Sequence, residues 1–168
     1  MCCNGVMFHT VILQPGDSAP ALKALGLKVK ERKEKRYIEQ PCPAHQKCQC
    51  TIYASRPTRC RLFECRQLKQ VAVGEITEAM AREKIQEAQR LVQHLEALLE
   101  KAGGANPTRP LSKRCEAVMV VPLDASSDEV TVTFRQELAA SFAELDTLLD
   151  QDFRVEPPRR GGVEDHSY

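Results

Sequence analysis

Seven of the chain's eight cysteines stand in two groups, Cys2 and Cys3 near its beginning and Cys42, Cys48, Cys50, Cys60 and Cys65 in the segment from Gln40 to Cys65. Thiols gathered this densely suit either disulfide crosslinking or metal ligation, and the compartment decides between them. The opening Met1-Cys2-Cys3-Asn4-Gly5 lacks the charged start and apolar middle of a secretory signal, and no apolar run reaches the roughly 18 residues of a membrane span. The expected location is therefore the cytoplasm, where thiols stay reduced. Metal binding or redox chemistry is then the expected use of the cysteines. Thiolate sulfur is soft and selects zinc, iron or an iron–sulfur cluster over magnesium or calcium.

Four thiolates around one divalent ion leave two negative charges to be offset locally. Residues 28 to 69 hold twelve Lys or Arg against four Glu, although the whole chain carries a net charge of only +1. Arg56, Arg59, Arg61 and Arg66 stand beside the cysteines, where a cation lowers a thiol's pKa and can donate hydrogen bonds to sulfur. The basic excess is thus explained without a nucleic acid. The cysteine spacings contain no pair of C-x-x-C knuckles, so spacing alone makes metal binding the expectation and leaves the geometry open.

The residues Cys2-Cys3-Asn4-Gly5 with Phe8 downstream, then Pro41-Cys42, then Cys50-x-Ile52-Tyr53-x-x-Arg56-Pro57-x-x-Cys60-Arg61-x-Phe63-x-Cys65, resemble the YkgJ-type cysteine-cluster proteins, a family classed as zinc- or iron-chelating. The resemblance covers about the first 70 residues. It implies Cys3, Cys42, Cys50 and Cys60 as the foremost metal ligands, with Cys2 and Cys65 next and Cys48 behind them. Arg56, Arg59, Arg61 and Tyr53 are the expected neighbours of the ligand shell. Relatives commonly carry a further C-x-x-C pair before the double cysteine, which this chain lacks.

Other chemistry-bearing residues have plainer readings. Cys115 stands alone and reads as a small buried hydrophobe. His9 and His45 could each supply an imidazole, but thiolates suffice without them; His94 borders an apolar stripe, and His166 lies in a tail. The run from Lys28 to Arg36, followed by Tyr37, could contact RNA phosphates, but Glu31 and Glu34 weaken its field, so nucleic acid is not the favoured partner. No Ser-His-Asp or Cys-His constellation, paired-carboxylate motif or phosphate loop is present, and the enzyme question leans to no.

The elements that must position the cysteines follow from patterning. Met7 to Leu13 reads as a strand closed by Pro15-Gly16. Asp17 or Ser18 can cap a short helix ending at Gly26, and Leu27 to Gln40 reads as an exposed hairpin. After Gly74, Ala81, Ile85, Ala88, Val92, Leu95, Leu99 and Ala102 recur at helical spacing. A second helix is expected after Ser126, whose pairing with Glu129 suggests a capping box, with Val130, Phe134, Leu138, Phe142, Leu145 and Leu149 on its apolar face. Between them, Val118 to Val121 reads as a short buried strand or turn.

The expected fold is mainly α within the α+β class: a long antiparallel helix hairpin with a small irregular, β-containing cysteine-rich metal-binding segment. Residues 1–154 form a single domain, with a cysteine-cluster part over 1–70 and a helical part over 75–154, and 155–168 form a disordered tail. A heptad seam spanning only about three heptads suits intramolecular packing, so a monomer is favoured. The expected function is metal-ion binding, by zinc, iron or an iron–sulfur cluster, in a structural or accessory module. An iron–sulfur redox protein or enzyme accessory, a metal-trafficking protein, and RNA binding through residues 28–69 are the alternatives.

Overall fold

In the computed structural model, which describes residues 1–103, 106–121 and 129–155, the chain divides between Phe63 and Glu64 into two units. The first holds Met1–Phe63 with Thr108–Pro110, and the second holds the described residues of Glu64–Pro107 and Leu111–Pro158. The class is α+β, with helices predominating beside a small antiparallel sheet.

The first unit is built on that sheet. Strand β1 spans Thr10–Ile12, and helix α1 follows over Ala19–Ala24. Ser18 rather than Asp17 caps α1, its Oγ accepting from Ala21 N at 3.3 Å. The helix stops where Gly26 turns left-handed (φ 87°) and Leu27 N donates back to Leu22 O at 3.1 Å, which buries Leu22 and Leu27 together. Strands β2 (Val29–Arg32) and β3 (Lys35–Glu39) form the expected hairpin, and β3 lies between β2 and β1 with Ile38 opposite both Val29 and Val11. Alternation then puts Ile38 inside and turns Tyr37 and Glu39 to the opposite face.

A second, two-rung hairpin follows in β4 (His45–Gln46) and β5 (Gln49–Cys50), with His45 opposite Cys50. Both hairpins turn through two left-handed residues, Lys33-Glu34 and Lys47-Cys48. That geometry ordinarily selects Asn-Gly, so neither turn carries its usual sequence signal. A single 3-10 turn over Tyr53–Ser55 leads to α2 (Thr58–Leu62), whose N-cap is Pro57. Leu22, Leu27, Ile38 and Ala44 form one buried cluster of this unit, and Leu13, Val29, Cys42, Cys50 and Ile52 pack on it. Phe8 and Phe63 meet edge to face, with ring centroids 4.8 Å apart.

The second unit is helical. It comprises α3 (Arg66–Ala72), α4 (Glu78–Lys101), α5 (Leu111–Met119) and α6 (Glu129–Asp152). Thr77 caps α4, and Ala81, Ala88, Leu95 and Leu99 of the expected stripe are buried, joined by Leu98; Ile85 is exposed. From α6, Leu138, Leu145 and Leu149 face the core as expected, with Leu148 and Phe153 added. Helices α4, α5 and α6 pack on one another. The expected buried strand at Val118 to Val121 is replaced by the end of α5, and Val120 and Val121 are 79% and 54% exposed. Once Arg114 and Cys115 take the inward positions of α5, the valines beyond its end have no buried face left to fill.

Helix α3 has no counterpart in the sequence reading. It closes the end of α6, with Arg66 N donating to Phe153 O (3.0 Å), Arg66 Nη1 to Gln151 O and Gln67 Nε2 to Asp152 O (2.8 Å). The suggested capping box at Ser126 and nearly all of the expected tail lie outside the described residues. Among the described residues no helix is long and apolar enough to cross a membrane.

Candidate metal centre

Four segments of the first unit converge on one cysteine neighbourhood. Cys3 is held against Cys42 by the backbone, Cys42 N donating to Cys3 O at 2.8 Å. Gly5 makes that approach feasible: its φ is 79°, and a Cβ there would stand 3.2 Å from Pro110 Cα and 3.4 Å from Pro41 N. Cys42 opens the turn into β4, where His45 N donates to Cys42 O at 2.9 Å, and Thr51 N closes the hairpin onto Ala44 O at 2.9 Å. The antiparallel pairing of His45 with Cys50 carries Cys50 back beside Cys42. Cys60 arrives on α2.

The electrostatics of the thiols reflect this convergence. Burial pushes the Cys60 thiol up from its ordinary value to about 12, and the neighbouring Cys3, Cys42 and Cys50 push in the same direction. Burial likewise raises Cys3, with Cys50 adding to it and Arg56 opposing. In Cys42 burial again leads; hydrogen bonds from the backbone amides of Ala44 and His45 act against it, while Cys3 and Cys50 reinforce it. Only thiols near one another can do this, so Cys3, Cys42, Cys50 and Cys60 form one electrostatic group.

A ready-made coordination shell is a stricter condition. Among the described residues, no group of three or more His, Cys, Asp or Glu side chains is arranged to hold a metal ion. All eight cysteines are free thiols.

The remaining candidates are placed as follows. Cys2 is half-buried with its Sγ 3.8 Å from Met7 Sδ. Cys48 is exposed, the second left-handed residue of the β4–β5 turn. Cys65 belongs to the second unit, where it immediately precedes α3 and its carbonyl accepts from Lys69 N at 3.1 Å. Cys115 is buried in α5, where burial pushes its thiol up to about 11.

Of the expected basic neighbours, Arg56 faces the group: its positive charge acts on both Cys3 and Cys60. It is held there by Tyr53, whose ring lies 3.7 Å below the guanidinium and whose carbonyl accepts from Arg56 Nε at 3.1 Å. Arg61 reaches instead to Thr58 Oγ1 at 3.4 Å, Arg59 is exposed, and Arg66 serves the end of α6 in the second unit. The sequence reading missed Asp17 and Thr58, which anchor α2. Asp17 stood out only as a rival cap for α1, and nothing local in the sequence pairs residues so far apart.

Compared with protein-family models, curated proteins and solved structures, the chain has no match.

Proposed function

We propose that the first unit is a metal-binding module in which Cys3, Cys42, Cys50 and Cys60 hold one thiophilic ion, zinc or iron, and that the ion serves a structural or accessory role. The observation that carries this reading is the convergence of four thiols from four separate chain segments, with Cys3, Cys42 and Cys60 raised in pKa by burial and by their neighbours. Isolated buried thiols would be stable as small hydrophobes; grouping them on half-exposed loops has no packing benefit that an aliphatic residue would not supply better. The donor set fits the ion. It is all sulfur, the Ala44 and His45 amides already bond to one sulfur, and Arg56 places a cation beside the negative charge that ligation would create.

Ligation requires the thiols to lose their protons. The resemblance of residues 2 to 65 to YkgJ-type clusters supports the same four positions. A bound ion would tie the beginning of the chain, the β4–β5 hairpin and α2 together. We read the helical unit as the expected antiparallel hairpin, supported by Lys84–Asp152 at 3.3 Å, where early α4 meets late α6, and His94–Glu137 at 3.4 Å, where later α4 meets early α6. Free thiols fit a reducing compartment, and we place the protein in the cytoplasm on that ground.

The test is elemental analysis and an absorption spectrum of anaerobically purified protein, with cobalt substitution of the full chain. One equivalent of zinc or iron, lost in Cys42→Ser and Cys60→Ser and kept in Cys48→Ser and Cys115→Ser, is the expected result. A protein that takes up neither metal on stoichiometric addition ends the proposal. Iron accompanied by inorganic sulfide would move the reading to a redox cluster at the same thiols.

A further inference from the structure

Helix α2 is only five residues long, too short to be stable by itself, yet it carries one of the four grouped thiols. Its N-cap is Pro57, which has no side-chain hydrogen-bonding group. The first amide of the helix is satisfied from elsewhere: Asp17 Oδ1 accepts from Thr58 N at 2.9 Å and from Thr58 Oγ1 at 2.8 Å. The carboxylate is itself fixed, because Oδ2 accepts from Gln14 N at 2.8 Å while Asp17 N donates to Gln14 O at 2.9 Å. Asp17 therefore closes the turn after β1 with one oxygen and caps α2 with the other. Arg61 Nη2 donates to Thr58 Oγ1 at 3.4 Å, and the Arg61 charge also favours the ionised carboxylate. Cys60 lies between Thr58 and Arg61 in the same turn of helix.

We propose that Asp17, acting through Thr58, is the positioning residue that holds Cys60 in the four-thiol group and thereby sets the affinity and coordination of the metal site, a second step that rests on the metal-binding reading above. The aspartate lies outside the thiol group and contributes no ligand. Phe63 also packs on Phe8, and α2 on β1, so the cap acts beside apolar contacts at this end. Without the cap, Thr58 N loses its partner and Cys60 leaves the group in a fraction of molecules.

Two readouts on the full chain test this. In metal-free protein, the rate at which iodoacetamide alkylates Cys60, mapped by peptide mass, reports whether α2 is docked. In the loaded protein, zinc affinity by chelator competition and the cobalt absorption spectrum report coordination. Asp17→Ala and Thr58→Val are expected to speed Cys60 alkylation by at least about fivefold, the scale of a lost cap. They should also weaken zinc binding by about 10- to 100-fold, as loss of a residue orienting a ligand does, with cobalt bands reduced toward a three-thiolate spectrum. Thr58→Ser, which keeps the hydroxyl and amide, should behave as wild type in all three.

Wild-type alkylation, affinity and spectrum in both Asp17→Ala and Thr58→Val overturn the proposal. If wild type takes no metal but Cys60 alkylation still rises in these variants, the metal reading fails while the positioning of Cys60 by Asp17 stands. If Asp17→Ala does not fold, Thr58→Val compared with Thr58→Ser decides by the same readouts.

Discussion

The amide of Cys42 donates to the carbonyl of Cys3 at 2.8 Å, so two thiols that are distant in sequence are tied by backbone before any ion is considered. That contact depends on main-chain geometry and survives replacement of either sulfur. Cys3→Ser should therefore keep the fold of the metal-free protein, by circular dichroism and thermal unfolding, while weakening zinc binding by at least about 100-fold. Gly5→Ala should do the reverse damage, because its backbone is left-handed and its added methyl meets Pro110, and lower the melting temperature with or without metal. A Cys3→Ser protein that retains zinc with wild-type affinity would remove Cys3 from the site.

Cys48 sits at a left-handed position (φ 62°) that glycine occupies without strain. Cys48→Gly is expected to hold metal as wild type does and to raise stability by up to about 1 kcal/mol in denaturant unfolding. Loss of metal in this variant would show that the β4–β5 turn rearranges to bring Cys48 in as a ligand.

The raised thiols give the metal-free protein an alkaline weakness. A group that binds its proton more tightly when folded contributes stability below its ordinary pKa, and that contribution is lost as pH rises toward the folded value. For Cys60 the window runs from 9.0 to about 12, and burial raises Cys3 and Cys42 in the same direction. Stability of the metal-free protein should fall across this window, and Cys60→Ser should flatten the fall. With metal added the dependence reverses, since ligation releases protons and tightens as pH rises toward neutrality.

In the helical unit, Arg114 is buried and forked onto Glu96, with Nη1–Oε1 at 2.7 Å and Nη2–Oε2 at 2.5 Å, while its Nε has no partner among the described residues. Glu96→Ala leaves a buried guanidinium unpaired, whereas Glu96→Gln keeps one acceptor. Because Glu96 is itself partly exposed, the expected loss for Glu96→Ala is about 2–3 kcal/mol, below that of a fully buried pair, with Glu96→Gln smaller. Urea unfolding followed by circular dichroism measures both, and equal stabilities for the two variants would show that water replaces the carboxylate.

Periodicity by itself determined the two long helices, because Ala81, Ala88, Leu95 and Leu99 in one and Leu138, Leu145 and Leu149 in the other repeat at the spacing a buried helical face requires. Cap chemistry likewise determined α1 and its glycine stop, while Val29, Tyr37 and Ile38 standing among charges suggested the exposed β2–β3 hairpin. The same local signals failed where the geometry is atypical or the partner is remote. Lys47-Cys48 turns left-handed without glycine, which hid β4 and β5. Helix α3 is stabilised by carbonyls at the end of α6 that no local pattern advertises.

For the cysteines, residue type determined the chemistry available to them, and tertiary structure decided which stand together. Strand pairing brings Cys50 back to Cys42, the left-handed Gly5 lets Cys3 approach, and the remote Asp17 cap docks the helix that carries Cys60. Those are contacts between residues up to 41 positions apart, made by backbone amides and one carboxylate. Spacing cannot encode them, because each depends on where the intervening chain has folded.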